Sequence, residues 1–212
     1  MFNVNRPTPM TYETLPILTF DERKLTPAYG YVFNPKWLDP HESIVSILWK
    51  FAHMNALPGH VLAAQAAKES LDPYEGVEAT RAAVDIRRLR DALGLPLKLL
   101  RSALVPDSLS SVASRYFRHC PRCMTRGYHA AVHQLEILQL CPIHGHWLRV
   151  ECRYCGYSAP YRLHARLLDA PFRCANCRFS YASSGPYFLR RRALSKTAQV
   201  TMTRLRLRYH WS

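Results

Sequence analysis

Four short runs constrain this chain more than anything else in it: CPRC (Cys120, Cys123), CPIH (Cys141, His144), CRYC (Cys152, Cys155) and CANC (Cys174, Cys177). Each leaves two residues between its outer members, so one tight turn can aim both side chains at the same ion. The seven cysteines cannot all pair as disulfides. Together with one histidine, however, they complete two four-ligand tetrahedral sites of the structural zinc kind. That histidine is His144, because His146 breaks the two-residue spacing. His146 and His119 read instead as neighbours of the ligands or as surface groups.

The spacing also says which pairs share an ion. The interval from Cys120 to Cys152 equals that from Cys123 to Cys155, and Cys141 to Cys174 equals His144 to Cys177. Two similar units follow. Cys120, Cys123, Cys141 and His144 are expected to hold one zinc, and Cys152, Cys155, Cys174 and Cys177 the other. The interleaved alternative, a RING-type cross-brace, needs only two or three residues after the histidine. Here the whole stretch 145–151 intervenes, so the cross-brace is rejected. With every position filled by protein, neither ion is placed to act as a Lewis acid. No histidine–glutamate helix motif, nucleophile elbow or phosphate loop occurs elsewhere, so no enzymatic activity is expected.

Clustered cysteines fit a reducing compartment. Residues 1–20 carry Pro7, Pro9 and Glu13 and lack the apolar run of a signal peptide, and no stretch is long and apolar enough for a membrane span. A cytoplasmic protein without a membrane partner is expected. The net charge of +14 is uneven: residues 1–100 are neutral, and all the excess lies in residues 101–212, where Lys196 is the one lysine among the bases. Two zinc–thiolate clusters would lower the total only to about +11. Guanidinium groups fit phosphate bidentately, so this half points to nucleic acid over a merely solvated surface. The candidate contacts are Arg118, Arg122, Arg126 and Arg153 on the knuckles, the cluster Arg190, Arg191 and Arg192, and Arg204, Arg206 and Arg208.

The fold class expected is α+β. Residues 1–35 are proline-rich and irregular. Residues 36–106 read as a small helical domain. Its first helix starts from Asp39, Pro40 and Glu42 and carries Ile44, Ile47, Leu48 and Phe51 on one stripe. A second spans about 59–68. A third opens at Asp72, Pro73 and Glu75 and runs to Gly94. A fourth spans about 96–104 and ends before Pro106. The tight turns invite a helix-turn-helix reading, but the turn after Leu93 lacks that spacing. Residues 114–180 read as two tandem zinc-ribbon-like modules with strands at EILQL (136–140) and HWLRV (146–150). Residues 181–212 form a basic tail. Apolar and basic residues alternate near its end, which suits a strand with Arg204, Arg206 and Arg208 on one face.

The runs ESIVSILWKFAHMNAL, RHCPRCM, HQLEILQLCPIHGHWL and CRYCG, in that order, resemble the TniQ/TnsD family over about residues 35–180. His133 stands where that family commonly has tryptophan before QL, and the third knuckle lacks the usual proline. The chain is also shorter than many members. The resemblance implies a bacterial target-selection adaptor of DNA transposition. Such a protein binds target DNA, or a DNA-bound guide complex in CRISPR-associated elements, and recruits an AAA+ ATPase. The alternative in the binding class is a zinc-ribbon transcriptional regulator. That reading needs a palindromic operator and a homodimer, and the chain has no obvious zipper.

Overall fold

The computed structural model describes residues 30–182 and 193–211. Helices dominate, and the one sheet among the described residues is two-stranded, giving a mixed α+β chain. The cluster Arg190–Arg192 and most of the irregular segment 1–35 lie outside the described residues.

The first helix, α1 (Ile44–Asn55), is buried on nearly every side, Ser46 and Lys50 included. A helix enclosed all round is a core element rather than a surface one. It begins later than the Asp39–Pro40 signal suggests. His41 takes a left-handed backbone (φ 68°), which no helix can propagate. Ser43 is the cap, its Oγ accepting from the Ser46 N–H at 3.2 Å. Glu42 still reaches back to the Asp39 N–H at 2.9 Å, and it also accepts from Ser46 Oγ and pairs with buried Lys50. Its carboxylate is thereby fully engaged inside the fold.

After a left-handed Ala56, α2 (Gly59–Ala66) packs on α6 (Ala165–Leu168). Contact is so close that a Cβ on Gly59 would sit 2.3 Å from the Ala165 carbonyl oxygen. No other residue fits there.

The third expected helix is mostly absent. Asp72 caps only a turn, with the Tyr74 N–H on its Oδ1 at 2.9 Å, and Gly76 then turns left-handed (φ 64°). The chain continues as β1 (Val77–Glu78), antiparallel to β2 (Arg162–Leu163). Next, Ala79 accepts from the Val105 N–H. Tertiary pairing takes the backbone groups that a helix would have used. Only α3 (Ile86–Leu93) is helical, capped by Asp85 and closed by left-handed Gly94, and α4 (Leu97–Ala103) packs on it.

One cluster of buried residues runs through both halves of the chain. Its hinge point is Trp49 on α1. The indole ring lies 5.5 Å from Phe117 and 4.7 Å from Phe172, and its N–H donates to the Leu167 carbonyl at 2.8 Å.

The C-terminal segment corrects the strand expectation. It forms α7 (Lys196–Arg208), capped by Ser195. Leu194, Ala198 and Met202 repeat at helical spacing and are buried, and this stripe outweighs the short apolar–basic alternation. Arg204 and Arg208 are exposed, whereas Arg206 is buried on the far side. The three therefore do not share a face. The expected strands at 136–140 and 146–150 reduce to single bridges, Leu140–Trp147 and His119–Arg149. Among the described residues no helix is long and apolar enough to cross a membrane.

Candidate metal centres and basic surface

The four knuckles are not built alike. Cys120 caps α5 (Pro121–Thr125), and Pro121 holds the first helical position, so Cys120 and Cys123 sit one turn apart on the same side. The other three repeat one hairpin. In each, the first ligand's N–H donates to a carbonyl five residues on: Cys141 to His146, Cys152 to Tyr157 and Cys174 to Phe179, at 2.7, 3.0 and 2.8 Å. The residue after the second ligand turns left-handed: Gly145 (φ 63°), Gly156 (φ 71°) and Arg178 (φ 61°). Glycine takes that conformation freely, and arginine takes it under strain.

These turns gather the eight ligands into two clusters. Cys120, Cys123, Cys141 and His144 form one, and Cys152, Cys155, Cys174 and Cys177 the other, with the ligand atoms of each lying within 4.8 Å of one another. In the first, His144 Nδ1 lies 3.3, 3.5 and 3.7 Å from the sulfurs of Cys123, Cys120 and Cys141. In the second, Cys152–Cys177 and Cys155–Cys174 are each 3.7 Å apart. A tetrahedral zinc site has edges of roughly 3.8 Å between sulfurs and roughly 3.6 Å between sulfur and nitrogen. Both clusters fit a zinc-sized ion, and thiolate with imidazole suits that metal. Burial pushes the Cys123 thiol well above the usual range. A bound dication would reverse this by holding the thiolates deprotonated.

Sequence reasoning missed the support around these ligands. His133 is fully buried, with Nε2 3.6 Å from Cys141 Sγ, and burial pulls its pKa well below the ordinary value. The neutral ring can donate one N–H to the sulfur and so orient it. Asn176 donates its backbone N–H to Cys174 Sγ at 3.4 Å. His129 ties the first cluster to α1. Its Nε2–H donates to the Arg118 carbonyl at 2.8 Å and its Nδ1 accepts from Ser43 Oγ at 2.7 Å. Only Asn176 lies within a ligand run; His129 and His133 sit in the loop between the first two knuckles, where burial rather than spacing gives them meaning. His146 is exposed and contributes its carbonyl rather than its ring.

The arginines divide. Arg118 is buried, its guanidinium donating to the carbonyls of Leu135 and Leu138, so it braces the loop between the first two knuckles and is turned away from solvent. Arg126 is half-buried and donates to the Ala193 carbonyl at 2.7 Å. Arg206 packs against the Trp211 ring at 5.4 Å and donates to that residue's carbonyl. Arg122, Arg153, Arg204 and Arg208 are exposed. So is Arg178, beside the fourth knuckle, and so are Arg115, Arg149, Arg166 and Arg173, which spacing alone had not assigned to a site. Ile137, Leu140 and Trp147 are exposed apolar residues of the first unit, the last two paired across their bridge.

The TniQ family model matches residues 37–148, from the approach to α1 through the whole first ligand cluster. The second cluster lies beyond the matched region. No curated protein matches the chain.

Proposed function

The chain belongs to the TniQ family of transposition-associated proteins, and from that premise we propose that it is a target-site selection adaptor in DNA transposition. It binds target DNA, or a DNA-bound guide complex, and recruits an AAA+ transposition ATPase. Two zinc ions close the two tandem zinc-ribbon-like modules of residues 114–180 and serve structure rather than chemistry. The helical part, residues 36–106, contributes to protein contacts, and the exposed arginines of the second half meet phosphate.

One observation carries this reading. Exposed Arg122, Arg153 and Arg178 sit inside or directly beside knuckles whose ligand atoms already converge. Zinc in such a site fixes the backbone on either side of each arginine, so the cations are held in place before a polyanion arrives. Phosphate contacts of this kind position a protein without reading sequence.

The test is recruitment. Zinc-loaded protein, DNA-coated beads and a candidate AAA+ transposition ATPase are combined, and bound ATPase is measured. Retention that depends on this chain is expected. ATPase retention unaffected by omitting the chain would overturn the adaptor reading.

A further inference from the structure

We propose that the second metal unit carries a site for single-stranded nucleic acid, with Tyr154 stacking on an unpaired base and Arg149 and Arg153 holding the adjoining phosphate. The proposal rests on the nucleic-acid reading above and narrows it to one surface and one state of the nucleic acid.

Tyr154 lies between Cys152 and Cys155 and is 73 % exposed, the most exposed large apolar or aromatic side chain among the described residues. It is nonetheless held in a fixed orientation. Its ring stacks on Phe179 with centroids 5.1 Å apart and planes 6° from parallel. Phe179 follows the Cys174–Cys177 knuckle, and its carbonyl accepts from the Cys174 N–H. The two rings therefore belong to the two knuckles of one cluster, and a single ion would set both. A flat ring supported from behind and open in front is a stacking platform.

One cation is beside it, and a second shares the clefts that the first one lines. The Arg153 guanidinium carbon lies 4.8 Å from the Phe179 centroid. Arg153 and Arg149 also line two neighbouring clefts. One, of about 550 Å3, includes Glu151, Cys152 and Gly156; the other, of about 60 Å3, includes His119, Pro121 and Tyr181. Neither arginine makes an ion pair among the described residues. Glu151 is the one carboxylate lining these clefts, and it repels an anion from its own side. Two unpaired guanidiniums outweigh it.

The platform also selects against duplex. Bases inside B-DNA already stack on both faces, so a ring standing on the protein surface can stack only on a base lacking a neighbour. Single strands, flipped bases and strand ends meet that condition.

The experiment is fluorescence anisotropy with full-length, zinc-loaded protein and a labelled mixed-sequence oligonucleotide, as single-stranded DNA, single-stranded RNA and duplex DNA. Tyr154→Leu should weaken single-strand binding about tenfold or more and leave duplex binding unchanged. Tyr154→Phe should keep wild-type affinity, because the ring face is retained. Arg149→Ala and Arg153→Ala should each flatten the log–log salt dependence by up to about one unit. Zinc content, measured on every variant, should stay at the wild-type value. Equal weakening of single-strand and duplex binding in Tyr154→Leu, or no weakening at all, would overturn the platform. So would displacement of the oligonucleotide by inorganic phosphate at matched ionic strength, which would make the clefts a free-anion site. Binding to duplex without any binding to single strands would end this proposal and leave the adaptor reading standing. Binding to neither would end this proposal and remove direct DNA binding from the adaptor reading, leaving its guide-complex form to the recruitment test.

Discussion

Single side chains around the first cluster do separable things, and substitution can tell them apart. His144→Ala removes a ligand and should release one of two ions, whereas His146→Ala should release none, since His146 offers only a carbonyl to the fold. His133→Phe keeps every ligand but removes the N–H facing Cys141. Loss of such an outer partner commonly lowers metal affinity about 10–100-fold, which chelator competition would read. His129 makes the fold acid-sensitive. Burial holds it at about 4, below its ordinary 6.5. A depressed histidine pKa means that the folded state binds fewer protons than the unfolded chain, so its contribution is full above pH 6.5 and falls as pH drops towards 4. The expected loss is up to about 1.4 kcal/mol per pH unit in that window. Denaturant midpoints between pH 7 and 5 should show it, and His129→Gln should flatten the slope there.

At the scale of elements, the knuckles and α7 make the sharpest claims. Gly156 is left-handed with open space where a Cβ would go, so Gly156→Ala should cost about 1–2 kcal/mol from backbone conformation alone. Arg178 occupies the same conformation in the fourth knuckle, and Arg178→Gly should retain both ions and not lower stability. In α7, Met202→Ala should cost about 2–5 kcal/mol, and Leu207→Ala about 0.5 kcal/mol or less, because Met202 is fully buried and Leu207 is 71 % exposed. A strand with Leu205 and Leu207 on its buried face would give the reverse order, and urea titration distinguishes the two. The ligand pairs were legible because a two-residue spacing is a local property of the chain. Gly94 marked a helix end for the same reason. The helix expected from Asp72 was not, because Gly76 lies against the Leu163 carbonyl and β1 pairs with a segment far along the chain. Arg118 and Arg206 looked like surface cations until carbonyls of Leu135, Leu138 and Trp211 were seen to surround them. Spacing does not report burial.

Across the whole molecule the helical part and the part that carries the two cysteine-rich clusters share a core. Trp49 touches Phe117 and Phe172 and donates to Leu167, and Ser43 meets His129, so α1 is braced by residues from the far half. Trp49→Ala should cost about 3–5 kcal/mol and reduce hydrogen-exchange protection in both parts. A bound metal would work in the other direction. Structural zinc in small modules supplies about 10–16 kcal/mol of apparent folding free energy, and the proposed ions would hold the arginines on the knuckles in fixed positions. Native mass spectrometry of the full chain and its His144→Ala variant tests this frame most directly. Two zinc ions per wild-type chain and one per variant chain are expected. A wild-type chain carrying fewer than two ions, or a mass lowered by disulfide formation among Cys120–Cys177, would contradict it.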